Sequence, residues 1–128
     1  MTCILVVDDQ ETLLRNVAQS LRTGGFEVIT ALDCANARKA LSHSHVDALC
    51  LDINLPDGNG LELLEEIRRT APDLPTIVIS GAASPENRYR AAQLGVHEFL
   101  RKPFRLVDLK AALAKFFDAT GHKGSPVD

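Results

Sequence analysis

The chain has 128 residues, of which 45% are hydrophobic, 24% charged and 5% aromatic, with a formal net charge of −3. That is one domain of ordinary size, apolar enough to bury a core, and its acidic balance argues against nucleic-acid binding by this segment. No stretch approaches the roughly 18 consecutive apolar residues of a membrane span.

Ile4, Leu5, Val6 and Val7 open the chain as a strand-like run that stops at Asp8 and Asp9. The N-terminus enters this run without a signal-peptide pattern, so a cytoplasmic chain with no membrane contact is expected. Leu13, Leu14, Val17 and Leu21 then mark one face of a helix, and Gly24 and Gly25 supply its stop. A second strand near 26–31 carries Glu27 and suits a sheet edge. Asp33 is placed to cap a helix bearing Ala37, Ala40 and Leu41. The run near 46–51 is continuously apolar and stops at Asp52. The segment after it, Ile53, Asn54, Leu55 and Pro56, reads as a loop that leaves Asp52 open.

Leu61, Leu64 and Ile67 mark a third helix that ends before Pro72. The apolar run near 76–80 stops at Ser80. Ser84, Pro85 and Glu86 then read as N-cap, first-turn proline and first-turn acid of a fourth helix that stops at Gly95. A fifth strand near 97–100 leads into Arg101, Lys102 and Pro103, and Leu106, Leu109, Leu113 and Phe116 or Phe117 mark the last helix. Residues 119–128 have no periodicity and read as a flexible tail or linker after a domain spanning 1–118. Cys3, Cys34 and Cys50 show no CxxC or Cys/His spacing, so they read as structural or neutral thiols.

Short strands alternating with helices predict an α/β fold, a doubly wound five-stranded parallel sheet with helices on both faces. Strand order 2-1-3-4-5, the flavodoxin-like arrangement, puts the ligand crevice between the first and third strands, where the order reverses. Those strands end at Asp8, Asp9 and Asp52. Three carboxylates in one cleft repel: two unit charges about 4 Å apart cost about 4 kcal/mol at an effective dielectric near 20. A cation among them, or a proton kept by one acid, relieves this, and hard oxygen ligands without His or Cys select Mg²⁺, Mn²⁺ or Ca²⁺. With no GxxxxGK[ST] and no GxGxxG, nucleotide cradling is not expected. A carboxylate beside Mg²⁺ and a lysine can itself be the nucleophile toward a phosphoryl group. Asp52 is the candidate.

The motifs together resemble the receiver domain of two-component response regulators, over about residues 3 to 118. Val6, Val7, Asp8 and Asp9 resemble its acid pair. Leu51 to Pro56, with Gly60 eight residues after Asp52, resemble the phosphorylation loop. Ile79, Ser80 and Gly81 resemble the hydroxyl position, and Phe99 to Phe104 the lysine motif. The resemblance implies that Asp52 accepts a phosphoryl group from a histidine kinase or phosphotransfer protein. It also implies that Asp8, Asp9, Asp52 and the Asn54 backbone carbonyl hold Mg²⁺, Asp8 mainly through water. Ser80 and Lys102 would bind phosphoryl oxygens, and Phe99 would turn inward with Ser80 as a switch. The fourth helix, fifth strand and fifth helix would form the output face. The Lys102–Pro103 bond resembles one that is often cis in the family. This chain carries Ser80, Gly81 and Phe99 where Thr, Ala and Tyr are commoner.

Other readings compete. The fold could serve as an interaction module without phosphorylation, although the set Asp8, Asp9, Asp52, Ser80 and Lys102 is complete. A Mg²⁺-dependent phosphatase with an aspartyl intermediate would place a second Asp two residues after its nucleophile; Asn54 stands there and has no carboxyl proton to donate. His43 and His45 resemble an H-x-H metal pair but read as surface residues. Arg88, Tyr89 and Arg90 read as a partner surface or a solvated face.

Overall fold

The computed structural model describes residues 1–117; the expected tail at 119–128 lies outside them. In chain order the elements are β1 (Cys3–Val7), α1 (Glu11–Thr23), β2 (Glu27–Ala31), α2 (Cys34–His43), β3 (Ala48–Leu51), β4 (Asn54–Leu55), β5 (Gly58–Asn59), α3 (Gly60–Thr70), β6 (Thr76–Ser80), α4 (Pro85–Gln93), β7 (Glu98–Arg101) and α5 (Leu106–Ala114). Five parallel strands form the main sheet in the order β2-β1-β3-β6-β7. That is the expected 2-1-3-4-5 once the short β4–β5 hairpin is set aside.

The continuous apolar strands are buried because helices cover both faces of the sheet. Ile4 and Val6 of β1 pack with Leu14, Val17 and Leu21 of α1 and Leu109 and Leu113 of α5. The alternate residues Leu5 and Val7 pack with Ala37 of α2 and Leu63, Leu64 and Ile67 of α3. A smaller cluster of Ile53, Leu61, Val78 and Ala91 lies under α3 and α4. Strand side chains alternate between faces, so one run feeds two cores. Each fully buried Leu or Ile contributes about 1.5–3 kcal/mol. Glu27-bearing β2 sits at the edge, paired only with β1.

Helix boundaries follow local chemistry. The Asp33 side chain accepts from the Asn36 N–H at 2.8 Å and starts α2. Ser84 accepts from the Asn87 N–H at 3.2 Å, with Pro85 in the first turn of α4. Helix α1 ends at Gly24, and Gly25 takes φ +97°, a left-handed conformation that costs an L-side chain energy. Where the residues after Asp52 read as plain loop, the structure forms β4 and β5, with Asn54 paired to Asn59 and Leu55 to Gly58. Asn59 then caps α3 by accepting from the N–H groups of Leu61 and Glu62. No described helix is long and apolar enough to cross a membrane.

Candidate functional site at the carboxyl ends of β1 and β3

Parallel pairing of β1 with β3, in register Val7 with Leu51, brings the residues that follow them side by side. The Asp52 N–H donates to the Val7 carbonyl at 3.0 Å and extends that pairing by one residue. Asp8, Asp9 and Asp52 each offer a carboxylate oxygen, all within 4.8 Å of one another. This is the only such His/Cys/Asp/Glu cluster among the described residues.

Asp52 is not open, as its following loop suggested, but buried at 6% exposure. Its Oδ1 accepts from its neighbour's N–H, that of Ile53, at 2.7 Å. Its Oδ2 accepts from Lys102 Nζ at 2.9 Å. The Gly60 N–H reaches back to the Ile53 carbonyl at 2.6 Å and ties the start of α3 to the residue after the aspartate. A Cβ at Gly60 would collide with the Asp52 backbone carbonyl, so only glycine lets α3 start this close to the site.

Lys102 arrives from the far edge of the sheet. Its N–H donates to the Ser80 carbonyl at 3.0 Å, and its peptide bond to Pro103 is cis, as expected. Its ammonium lies 2.7 Å from Asp8 Oδ2 and 2.9 Å from Asp52 Oδ2. Burial alone pulls this ammonium down, but hydrogen bonds and charges from Asp8 and Asp52 together hold its pKa above the ordinary lysine value. The Asp8 carboxyl, 2% exposed, is raised, first by burial and also by the charge of Asp52, with Lys102 offsetting part of the cost.

Ser80 ends β6 and is buried. Its Oγ accepts from the Ala82 N–H at 3.1 Å, so in this state the hydroxyl caps its own loop. Phe99 is half-buried against the Ile53, Val78 and Ala91 cluster. The Arg88 guanidinium lies 4.7 Å from the ring centroid. No sequence pattern pairs Arg88 with Phe99, because α4 and β7 meet only through the fold. Of its neighbours, Arg90 pairs with Glu65 at 3.0 Å, while Tyr89 stands 68% exposed. His43 and His45 do not converge on a metal. His43 Nδ1 lies 2.8 Å from the Lys39 carbonyl, and His45 Nε2 lies 2.9 Å from Asp47 Oδ1.

Three carboxylates and a lysine thus converge at the point of strand reversal, where ligands bind in open α/β sheets. Residues 4–114 match the family model described as the response regulator receiver domain. The chain belongs to that family, as a receiver domain of two-component response regulators. It is 37% identical over 108 residues to the transcriptional regulatory protein PrrA of Mycobacterium tuberculosis, an alignment covering 84% of this chain and 46% of PrrA. The chain thus spans about half the length of the curated relatives it matches. Among solved structures, the CheY-like receiver domain protein from Methanospirillum hungatei superposes with a TM-score of 0.87 at 30% identity, over 90% of this chain and 92% of that one. The response regulator TrrA from Thermotoga maritima, solved in complex with Mg²⁺ and BeF, superposes with a TM-score of 0.80 at 29% identity, over 90% of this chain and 98% of that one.

Proposed function

We propose that this chain is the phosphoacceptor of a two-component phosphorelay, with Asp52 as the residue phosphorylated. One arrangement carries the reading. The Asp52 carboxylate is 2.9 Å from the Lys102 ammonium and within 4.8 Å of the Asp8 and Asp9 oxygens, at the sheet's switch point. An Asp52 oxygen attacks the phosphorus of a phosphohistidine on a histidine kinase or phosphotransfer protein. The P–N bond breaks, and the imidazole nitrogen leaves with its electron pair. Lys102 neutralises charge on a phosphoryl oxygen, and Ser80 turns from the Ala82 N–H to hydrogen-bond another.

The donor set fits a hard divalent ion: carboxylate oxygens converge, and no nitrogen or sulfur ligand joins them. Asp8, Asp9, Asp52 and the Asn54 backbone carbonyl would hold Mg²⁺, Asp8 mainly through water. The bound ion would supply positive charge to the phosphoryl oxygens during transfer. TrrA's complex with Mg²⁺ and BeF supports this ligand class.

Movement of Ser80 would leave room for Phe99 to turn inward, away from the Arg88 guanidinium, and so alter the surface of α4, β7 and α5 toward an output partner or domain. The same site would phosphorylate itself from small phosphodonors and lose the group to water. A cytoplasmic location belongs to this reading, in keeping with three free, buried thiols. The test is intact mass after incubation with Mg²⁺ and acetyl phosphate. A single phosphate adduct, lost in Asp52→Asn, is expected; no adduct on the wild type would overturn the reading.

A further inference from the structure

A lysine ammonium has three N–H donors and no acceptor. Three protein oxygens surround the Lys102 ammonium here: Asp8 Oδ2 in an ion pair at 2.7 Å, and Asp52 Oδ2 and the Gln10 side-chain oxygen Oε1 as hydrogen-bond acceptors at 2.9 Å each. The third partner is unexpected. Gln10 stands at the N-cap of α1, where Ser, Thr, Asp and Asn normally turn back onto the helix, yet its side chain makes no capping hydrogen bond. Its backbone N–H instead donates to Asp8 Oδ1 at 2.9 Å. Residue 10 therefore braces both components of the site, Asp8 through its main chain and Lys102 through its amide.

We propose that Gln10 is a positioning residue for phosphoryl transfer at Asp52. The proposal rests on the phosphoacceptor reading above and deepens it. When an Asp52 oxygen bonds to phosphorus and the donor's leaving group departs with its electron pair, the charge that Lys102 faces moves from Asp52 Oδ2 to a phosphoryl oxygen. One N–H of Lys102 follows that charge. The other two stay on Asp8 and Gln10 and keep the ammonium aimed. A neutral oxygen suits residue 10, since a carboxylate would add a fourth negative charge to the cluster, a cation would repel Lys102, and asparagine is one methylene shorter. Gln10 itself is exposed, so its amide carries little packing load.

The test is a double-mutant cycle on the full chain, reading the rate of Asp52 phosphorylation by acetyl phosphate at saturating Mg²⁺. Gln10→Met keeps the length and removes the acceptor. In the wild-type background it should slow phosphorylation about fivefold, the equivalent of about 1 kcal/mol for one neutral hydrogen bond. In a Lys102→Ala background it should change the rate by less than about twofold, because Gln10 acts through Lys102. If the Lys102→Ala rate is too slow to measure, the ¹⁵Nζ resonance of Lys102 replaces it and should shift in Gln10→Met. An equal slowing in both backgrounds, a wild-type rate for Gln10→Met, or an unmoved Lys102 resonance would overturn the proposal. Failure of the wild type to form any adduct would instead sink the phosphoacceptor reading, so the two failures are distinguishable.

Discussion

Arg68 shows how much one side chain can hold. From the last turn of α3 its guanidinium donates to the carbonyls of Leu94 at 2.7 Å, Leu74 at 2.9 Å, Ala71 at 3.2 Å and Gly95 at 3.3 Å, and to Thr76 Oγ1 at 3.1 Å. It joins the ends of α3 and α4 to the start of β6. Burial pulls its pKa down, yet guanidinium remains charged because its ordinary value is so high. Arg68→Ala would strand several of these carbonyls and should lower stability by about 2 kcal/mol, read as an earlier urea midpoint. Arg68→Lys should recover only part of that, since an ammonium has three donors and no planar fork. Wild-type stability in Arg68→Ala would count against this role. Nothing in the sequence separates Arg68 from Arg69 beside it: both are basic residues in a last helical turn, and only the fold gives one of them five acceptors.

Among the elements, the long ones are legible in the sequence and the short hairpin is not. A strand covered on both faces writes a continuous apolar run, and a capped helix writes Asp33 or Ser84 and Pro85 at its start. Two-residue strands leave no such pattern, so β4 and β5 look like loop until the chain is folded. Their turn also acts at a distance. The Asp57 carboxylate accepts from the Cys34 N–H at 2.8 Å and the Ala35 N–H at 3.0 Å, tying the loop after Asp52 to the first turn of α2. Those N–H groups hold the Asp57 pKa below the ordinary carboxylate range. A carboxylate depressed on folding stabilises fully above its unfolded pKa, about 3.9, and loses that contribution as pH falls through the folded value. The gap in urea midpoint between wild type and Asp57→Ala should therefore be constant above about pH 5 and narrow below about pH 3.9. A gap indifferent to acid would show that the carboxylate charge is not what ties loop to helix. The same contact surrounds Cys34. Burial, with the adjacent Asp57, pushes its thiol up to about 11, consistent with an unreactive, structural cysteine.

For the whole molecule, the acid cluster is a cost of folding that a bound cation would relieve. Lys102 supplies one positive charge against three carboxylates. On the proposed ligand set, Mg²⁺ binds the folded state alone and should raise the melting temperature, with about 2.7 kcal/mol gained at a hundredfold excess over Kd. Asp9→Ala should show a smaller rise across a Mg²⁺ titration. A shift as large as that of the wild type would refute Asp9 as a ligand.

The sequence by itself determined the fold class and the residue types at the strand ends, and it left the strand order as one of the few that right-handed crossovers allow. It could do so because burial on two faces dictates uninterrupted apolar runs, and parallel strands share one polar edge. Only the tertiary structure decided which of those residues touch: Gln10 on Lys102, Arg88 over Phe99, Arg68 across two helix ends, and Asp52 closed in where its loop suggested openness. Those contacts join elements distant in sequence. Their distances depend on how helices and loops pack against the sheet, which no period in the chain encodes.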